Sequence, residues 1–174
     1  LDVAQLPAMI DRTLATYGRL DALINNASSF FQTPVGDITP SDWEDLIGTN
    51  LRAPLFLAQA AAPALRRTQG VIVNITDIHA ERPLKNFVVY SVAKAGLVGL
   101  TRSLARELAP EVRVNAVAPG PTVASARPTS RPATATWLSA TAPNSERSSC
   151  WARPSSYQER PIAMNAESQF HWNG

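Results

Sequence analysis

The chain has 174 residues, with 16 basic and 14 acidic side chains and a net charge of +2; that length suits one domain with a buried core. The single cysteine, Cys150, excludes an internal disulfide framework, and two widely separated histidines, His79 and His171, give no basis for a metal cluster. There is no apolar run long enough to span a membrane, no charged-then-apolar leader is visible, and no basic stripe is interleaved with aromatics. A cytoplasmic protein with no membrane span and no nucleic-acid partner is expected.

The first expected element is a helix over residues 3–17, where Leu6, Met9, Ile10, Thr13, Leu14 and Tyr17 recur at helical spacing between a capping Asp2 and a terminating Gly18. Residues 21–25 read as a short buried strand. Thr39-Pro40-Ser41-Asp42 is a helix start, with a capping hydroxyl, proline at the first helical position and an acid in the first turn. That helix is expected to run to Arg67, bent near Pro54 or Pro63. The near-continuous apolar run from Val71 to Thr76 is typical of a buried parallel strand. A helix over residues 89–108 and a strand over residues 112–117 follow. Alternation of this kind predicts an α/β, doubly wound parallel sheet, with ligands beyond the carboxyl ends of the strands.

Tyr90 and Lys94 stand four apart, on one face of the expected helix. An ammonium beside a phenol lowers the phenol's pKa toward working pH and makes it a usable proton donor and acceptor. Asp77, thirteen residues before the tyrosine, is either a turn or cap aspartate or part of the same chemistry.

Four motifs in order, Asn25-Asn26-Ala27-Ser28, Asn50, Tyr90-x-x-x-Lys94 and Pro119-Gly120 after Arg113-Val114-Asn115-Ala116, resemble those of the short-chain dehydrogenase/reductases. Two departures from the usual pattern, Ser28 where glycine is common and Asp77 where serine is common, resemble the pteridine reductase branch. The resemblance implies a Rossmann-like fold over residues 1–120 and NADPH as cofactor, NADH not being excluded. It implies a pterin or folate-like substrate and a homotetrameric parent. It makes Tyr90 the proton donor, with Lys94 on the nicotinamide ribose and Asp77 on the pterin ring. Asn50 becomes a water-holding member of a catalytic tetrad that links Lys94 to a proton path. Asn26, Ala27, Ser28, Pro119 and Gly120 would line the cofactor, and Ser28 and Phe30 would meet the substrate. Phe30 would stack on the flat ring unless it is a core aromatic, a place that Phe31 could take instead. Asn115 is expected to be structural. The alternatives are a short-chain reductase acting on a ketone, such as a 3-oxoacyl thioester, and a non-catalytic fragment.

Both ends depart from the family pattern. The Gly-x-x-x-Gly-x-Gly turn that would cradle a pyrophosphate on backbone N–H groups does not occur in the chain, so a preceding segment is expected. Residues 121–174 are rich in Ser, Thr and Pro and keep no apolar period. They are expected to be a low-complexity tail, disordered or read out of frame.

Overall fold

The computed structural model describes residues 2–119 and 136–140. A 3₁₀ turn at Val3–Gln5, capped by Asp2, leads into α1 (Leu6–Tyr17), which Gly18 ends in the left-handed conformation at φ +75°. The chain continues through β1 (Ala22–Asn25), α2 (Pro40–Ile47), α3 (Ala53–Thr68), β2 (Val71–Ile75), α4 (Val88–Glu107) and β3 (Arg113–Ala118). The strands lie in the order β1-β2-β3, all parallel, with Ala22 beside Val71 and Val71 beside Arg113. This is the expected Rossmann-like α/β sheet, and its carboxyl ends, Asn25, Ile75 and Ala118, share one edge.

The helices occupy one face of that sheet. Leu23, Ile72 and Val114 point into a cluster with Ile10 of α1, Ala58, Ala61 and Leu65 of α3, and Ala105 and Leu108 at the end of α4. Leu65, Ile72 and Val114 are fully buried, each contributing about 1.5–3 kcal/mol through the water its side chain gives up. On the opposite face Ile24 is exposed, and Val71, Val73, Ile75 and Val117 are only half-buried. Among the described residues, the second helical layer of a doubly wound sheet is therefore not seen.

The expected long helix from Pro40 is two helices joined by a π-turn at Gly48–Arg52. The widening comes just before Pro54, which brings no N–H to the carbonyl of Asn50 and crowds it with its ring. Pro63 lies exposed within α3. The start at Thr39 is as expected: Asp42 N–H donates to Thr39 Oγ1, and the Asp42 carboxylate accepts from Thr39 N–H.

A fourth strand, β4 (Thr136–Ala140), pairs antiparallel with β3, Ala116 beside Leu138. It falls in the segment expected to lack regular elements. The five residues TWLSA include a β-branched and an aromatic residue, and the free edge of β3 offers a ladder. The rest of the expected tail, and Gly120, lie outside the described residues.

Candidate active site

The site is built along the carboxyl ends of β1 and β2 and the first two turns of α4. Asp77 follows β2 in extended conformation. Its Oδ1 accepts from the N–H of His79 at 2.9 Å, capping the turn Ile78–Ala80. Its Oδ2 accepts from the Tyr90 hydroxyl at 2.7 Å. The cap expected of a turn aspartate is thus formed by one oxygen, while the other touches Tyr90.

Tyr90 is buried, and its environment reverses the sequence expectation. Burial, followed by the hydrogen bond to Asp77 and that residue's charge, raises the phenol well above its ordinary range, while Ser28 works weakly the other way. Lys94 does not set this group. Its ammonium donates to the Ile75 carbonyl at 3.0 Å and lies 5.6 Å from the centre of the tyrosine ring. A carboxylate in contact with a buried phenol outweighs a cation at that distance, because both desolvation and a short hydrogen bond to Asp77 favour the neutral form. Burial also lowers the pKa of Lys94, partly offset by the charge of Asp77.

Asn50 is 1% exposed in the π-turn. Its Nδ2 donates to Ser29 O and to Leu46 O, both at 2.9 Å, and its Oδ1 accepts from Ser28 Oγ at 2.6 Å. None of these bonds is made to Lys94 directly. Asn50 instead pins the segment after β1, which Ser29 ties again through Asp45 at 2.7 Å. The segment is held a third time at Thr33. Its N–H donates to Asn86 O at 2.6 Å, and its Oγ1 accepts from the N–H of Val89 at 3.2 Å. Phe87, at the cap position of α4, has no side-chain hydrogen bond to offer, so the buried Thr33 caps the helix from 56 residues away.

Between those ties the strap displays Phe30, 55% exposed, stacked on Phe87 at 4.6 Å and edge-on to Tyr90 at 4.7 Å. Phe31 packs with Leu46, Val89 and Tyr90 and takes the core place. Asn26, Ala27 and Ser28 are exposed beyond β1, and Pro119 is half-buried beyond β3. Asn115 is half-buried within β3. Thr33, Phe87 and Asn74 were not singled out from the sequence. The only signal for Thr33 was a capping residue type in a loop, with nothing to say which helix it caps. An open polar hollow of about 460 Å³, lined by Ser41, Glu44, Asp45, Thr49 and Arg52, lies beside α2, and Tyr90 is not among its lining residues.

The arrangement leaves donors of Lys94 for a hydroxyl-bearing ligand such as a ribose. Lys94 is 3% exposed and spends one of its three donors within the described residues, on Ile75. A buried ammonium with two N–H groups to spare fits a ligand rich in hydroxyls.

Residues 1–148 match the family model described as enoyl-(acyl carrier protein) reductase, and the chain belongs to the short-chain dehydrogenase/reductase family of NAD(P)-dependent oxidoreductases. It is similar to D-xylose 1-dehydrogenase of Caulobacter vibrioides, 40% identical over 121 residues that cover 68% of this chain and 48% of that protein. It is also 40% identical over 135 residues to pteridine reductase 1 of Leishmania tarentolae, covering 65% of this chain and 47% of that one. With 3-oxoacyl-(acyl-carrier-protein) reductase of Staphylococcus aureus it shares 37% over 121 residues, 68% and 49% of the two chains. Among solved structures, a metagenomic short-chain oxidoreductase in complex with NADP superimposes with a TM-score of 0.64 at 38% identity, covering 68% of this chain and 55% of that one. The chain spans about half the length of the curated relatives it matches. Their names stand for different substrates at nearly equal identity, which supports the family and not one branch.

Proposed function

We propose that this chain belongs to an NADPH-dependent reductase of a dihydropterin or dihydrofolate-like substrate, working as a homotetramer. The observation that carries the reading is the Asp77–Tyr90 hydrogen bond of 2.7 Å beside the exposed ring of Phe30. A carboxylate at the end of β2 is an acceptor for the N–H edge of a heterocycle, and an exposed aromatic is a stacking surface for a flat ring. The nicotinamide supplies the hydride when bound. Lys94 would hold its ribose, with Asn26, Ala27, Ser28, Tyr90, Pro119 and Gly120 around it. Tyr90, kept neutral by burial and Asp77, would donate the proton, and Asp77 and Phe30 would orient the ring. Asn50 would act by holding Ser28 in place.

A ketone reductase is the alternative that the 3-oxoacyl-(acyl-carrier-protein) reductase relative favours. The two are separated by following NADPH oxidation at 340 nm with a dihydropterin and with a 3-oxoacyl thioester. Tyr90→Phe should reduce dihydropterin turnover by roughly 10²–10⁴ with little change in NADPH affinity. Asp77→Ser should abolish most dihydropterin turnover while sparing any ketone activity. Intact dihydropterin turnover in Asp77→Ser would remove the carboxylate from the reaction, whereas wild-type protein that oxidises NADPH with the 3-oxoacyl thioester and not with the dihydropterin would sink the pterin reading. A chain without saturable NADPH binding would support a non-catalytic fragment.

A further inference from the structure

Three side chains, Asn25, Asn74 and Thr101, form a buried polar chain beneath the site described above. Asn25 Nδ2 donates to Asn74 Oδ1 at 2.7 Å, and Asn74 Nδ2 donates to Thr101 Oγ1 at 2.9 Å. Thr101 gives its own proton to Leu97 O at 2.7 Å. With that proton committed, Thr101 can only accept from Asn74, which fixes the amide: nitrogen toward α4, oxygen toward β1. Asn74 is 0% exposed and Thr101 2%.

We infer that Asn74 and Thr101 are positioning residues that hold the end of β1 and the ammonium of Lys94 in one register at the Tyr90 site. The geometry is a two-point grip. Asn74 and Ile75 are neighbours on β2, and α4 holds both, Ile75 through its carbonyl to Lys94 and Asn74 through its amide to Thr101. Lys94 and Thr101 lie two helical turns apart on one face of α4, about 10 Å along its axis, and they grip adjacent residues of β2. Two such points oppose sliding or rolling of α4 along β2, in addition to the apolar packing of Ala105 and Leu108 with Ile72. The third bond extends the grip to Asn25, the last residue of β1, after which Asn26, Ala27 and Ser28 begin. The exposed strap after β1 and the buried lysine on α4 are thus tied through one amide. The consequence for catalysis rests on the function proposed above; the grip does not.

The chain contains two lysines, Lys85 and Lys94, so labelling with ¹³Cε-lysine gives two assignable signals, with the exposed Lys85 as internal reference. The variant is Thr101→Val, which keeps the volume and removes the acceptor. The Lys94 signal should move and its titration midpoint should rise, because a loosened helix lets water reach the ammonium and burial is the main cause that lowers it. Lys85 should stay fixed, and Thr101→Ser should restore the Lys94 signal. If Thr101→Val does not fold, Thr101→Cys, a similar volume with a weak acceptor, should give a smaller movement of the same sign. A folded Thr101→Val or Thr101→Cys whose melting temperature falls while the Lys94 signal and midpoint stay in place would overturn the inference, because a purely structural role predicts that pattern. The experiment is run without cofactor or substrate, so its failure is separate from a failure of NADPH turnover, which would count against the functional reading alone.

Discussion

Asp77→Asn removes a charge while leaving the shape of the acceptor. Wild-type Tyr90 donates to a carboxylate oxygen at 2.7 Å. A hydrogen bond to a charged group is worth about 1.5–3 kcal/mol, and one pH unit of midpoint corresponds to about 1.36 kcal/mol. An asparagine oxygen retains roughly a neutral bond's share of this, about 0.5–1.5 kcal/mol. The Tyr90 midpoint should therefore fall by about one pH unit in Asp77→Asn, yet stay above that of a free phenol because burial, the larger cause, is unchanged. The assay is phenolate absorbance at 295 nm against pH, with the Tyr90→Phe protein subtracted so that the other tyrosines cancel. The sign also fixes the pH dependence of stability. A phenol whose folded pKa is raised contributes stability fully present below its unfolded value near 10, and lost as the pH climbs through the folded value. Asp77→Asn should reduce that contribution. A Tyr90 midpoint that is unchanged or higher in Asp77→Asn would refute the assignment of the proton to the Asp77 contact and return Lys94 to consideration.

Thr33→Val should cost about 1 kcal/mol, the usual loss on removing a helix cap. This would appear as a fall of roughly 2–4 °C in melting temperature by circular dichroism, and an unchanged melting point would mean the Val89 amide finds another acceptor. Gly70→Ala and Gly99→Ala should move stability in opposite directions. A methyl at Gly70 would sit 2.7 Å from the backbone carbonyl of Asp21, whereas one at Gly99 meets nothing within 4 Å. The first should destabilise by about 1–3 kcal/mol as overpacking does, and the second should stabilise by up to about 1 kcal/mol as a helix-interior glycine is replaced. Denaturant midpoints that shift in the same direction for both would refute the packing argument.

The elements that the sequence disclosed were those whose cause is local. The apolar run of β2, the capping box at Thr39 and the spacing of Tyr90 and Lys94 are each written within a few residues, and each stands within a residue or two of its expected place. Phe31 and Phe30 divided their roles as weighed, one packed and one exposed. The errors came where distant groups compete. Spacing put Lys94 beside Tyr90 but could not show that Asp77 would come nearer and carry the opposite influence. Proline marked trouble in the helix after Pro40 without showing that the chain would widen into a π-turn and turn Asn50 toward the strap. Asn74 passed for one more residue in an apolar strand, because neither Asn25 nor Thr101 is close to it in sequence. The strand at Thr136–Ala140 was missed because its ladder is supplied by β3.

The cap that Thr33 provides has a consequence for how the proton donor could be moved or inherited. A helix that carries its own N-cap is a portable cassette: cut out and grafted, it begins at the same residue. The segment Val88–Glu107 lacks that property, since the acceptor for its Val89 amide arrives from the far side of two helices and a strand. Transplanted alone, it would be free to fray or begin a residue or two later, and each residue of slippage turns a helix by about 100°, enough to swing Tyr90 away from Asp77. The smallest unit that preserves the orientation of Tyr90 is thus discontinuous, the strap through Thr33 together with the helix it starts.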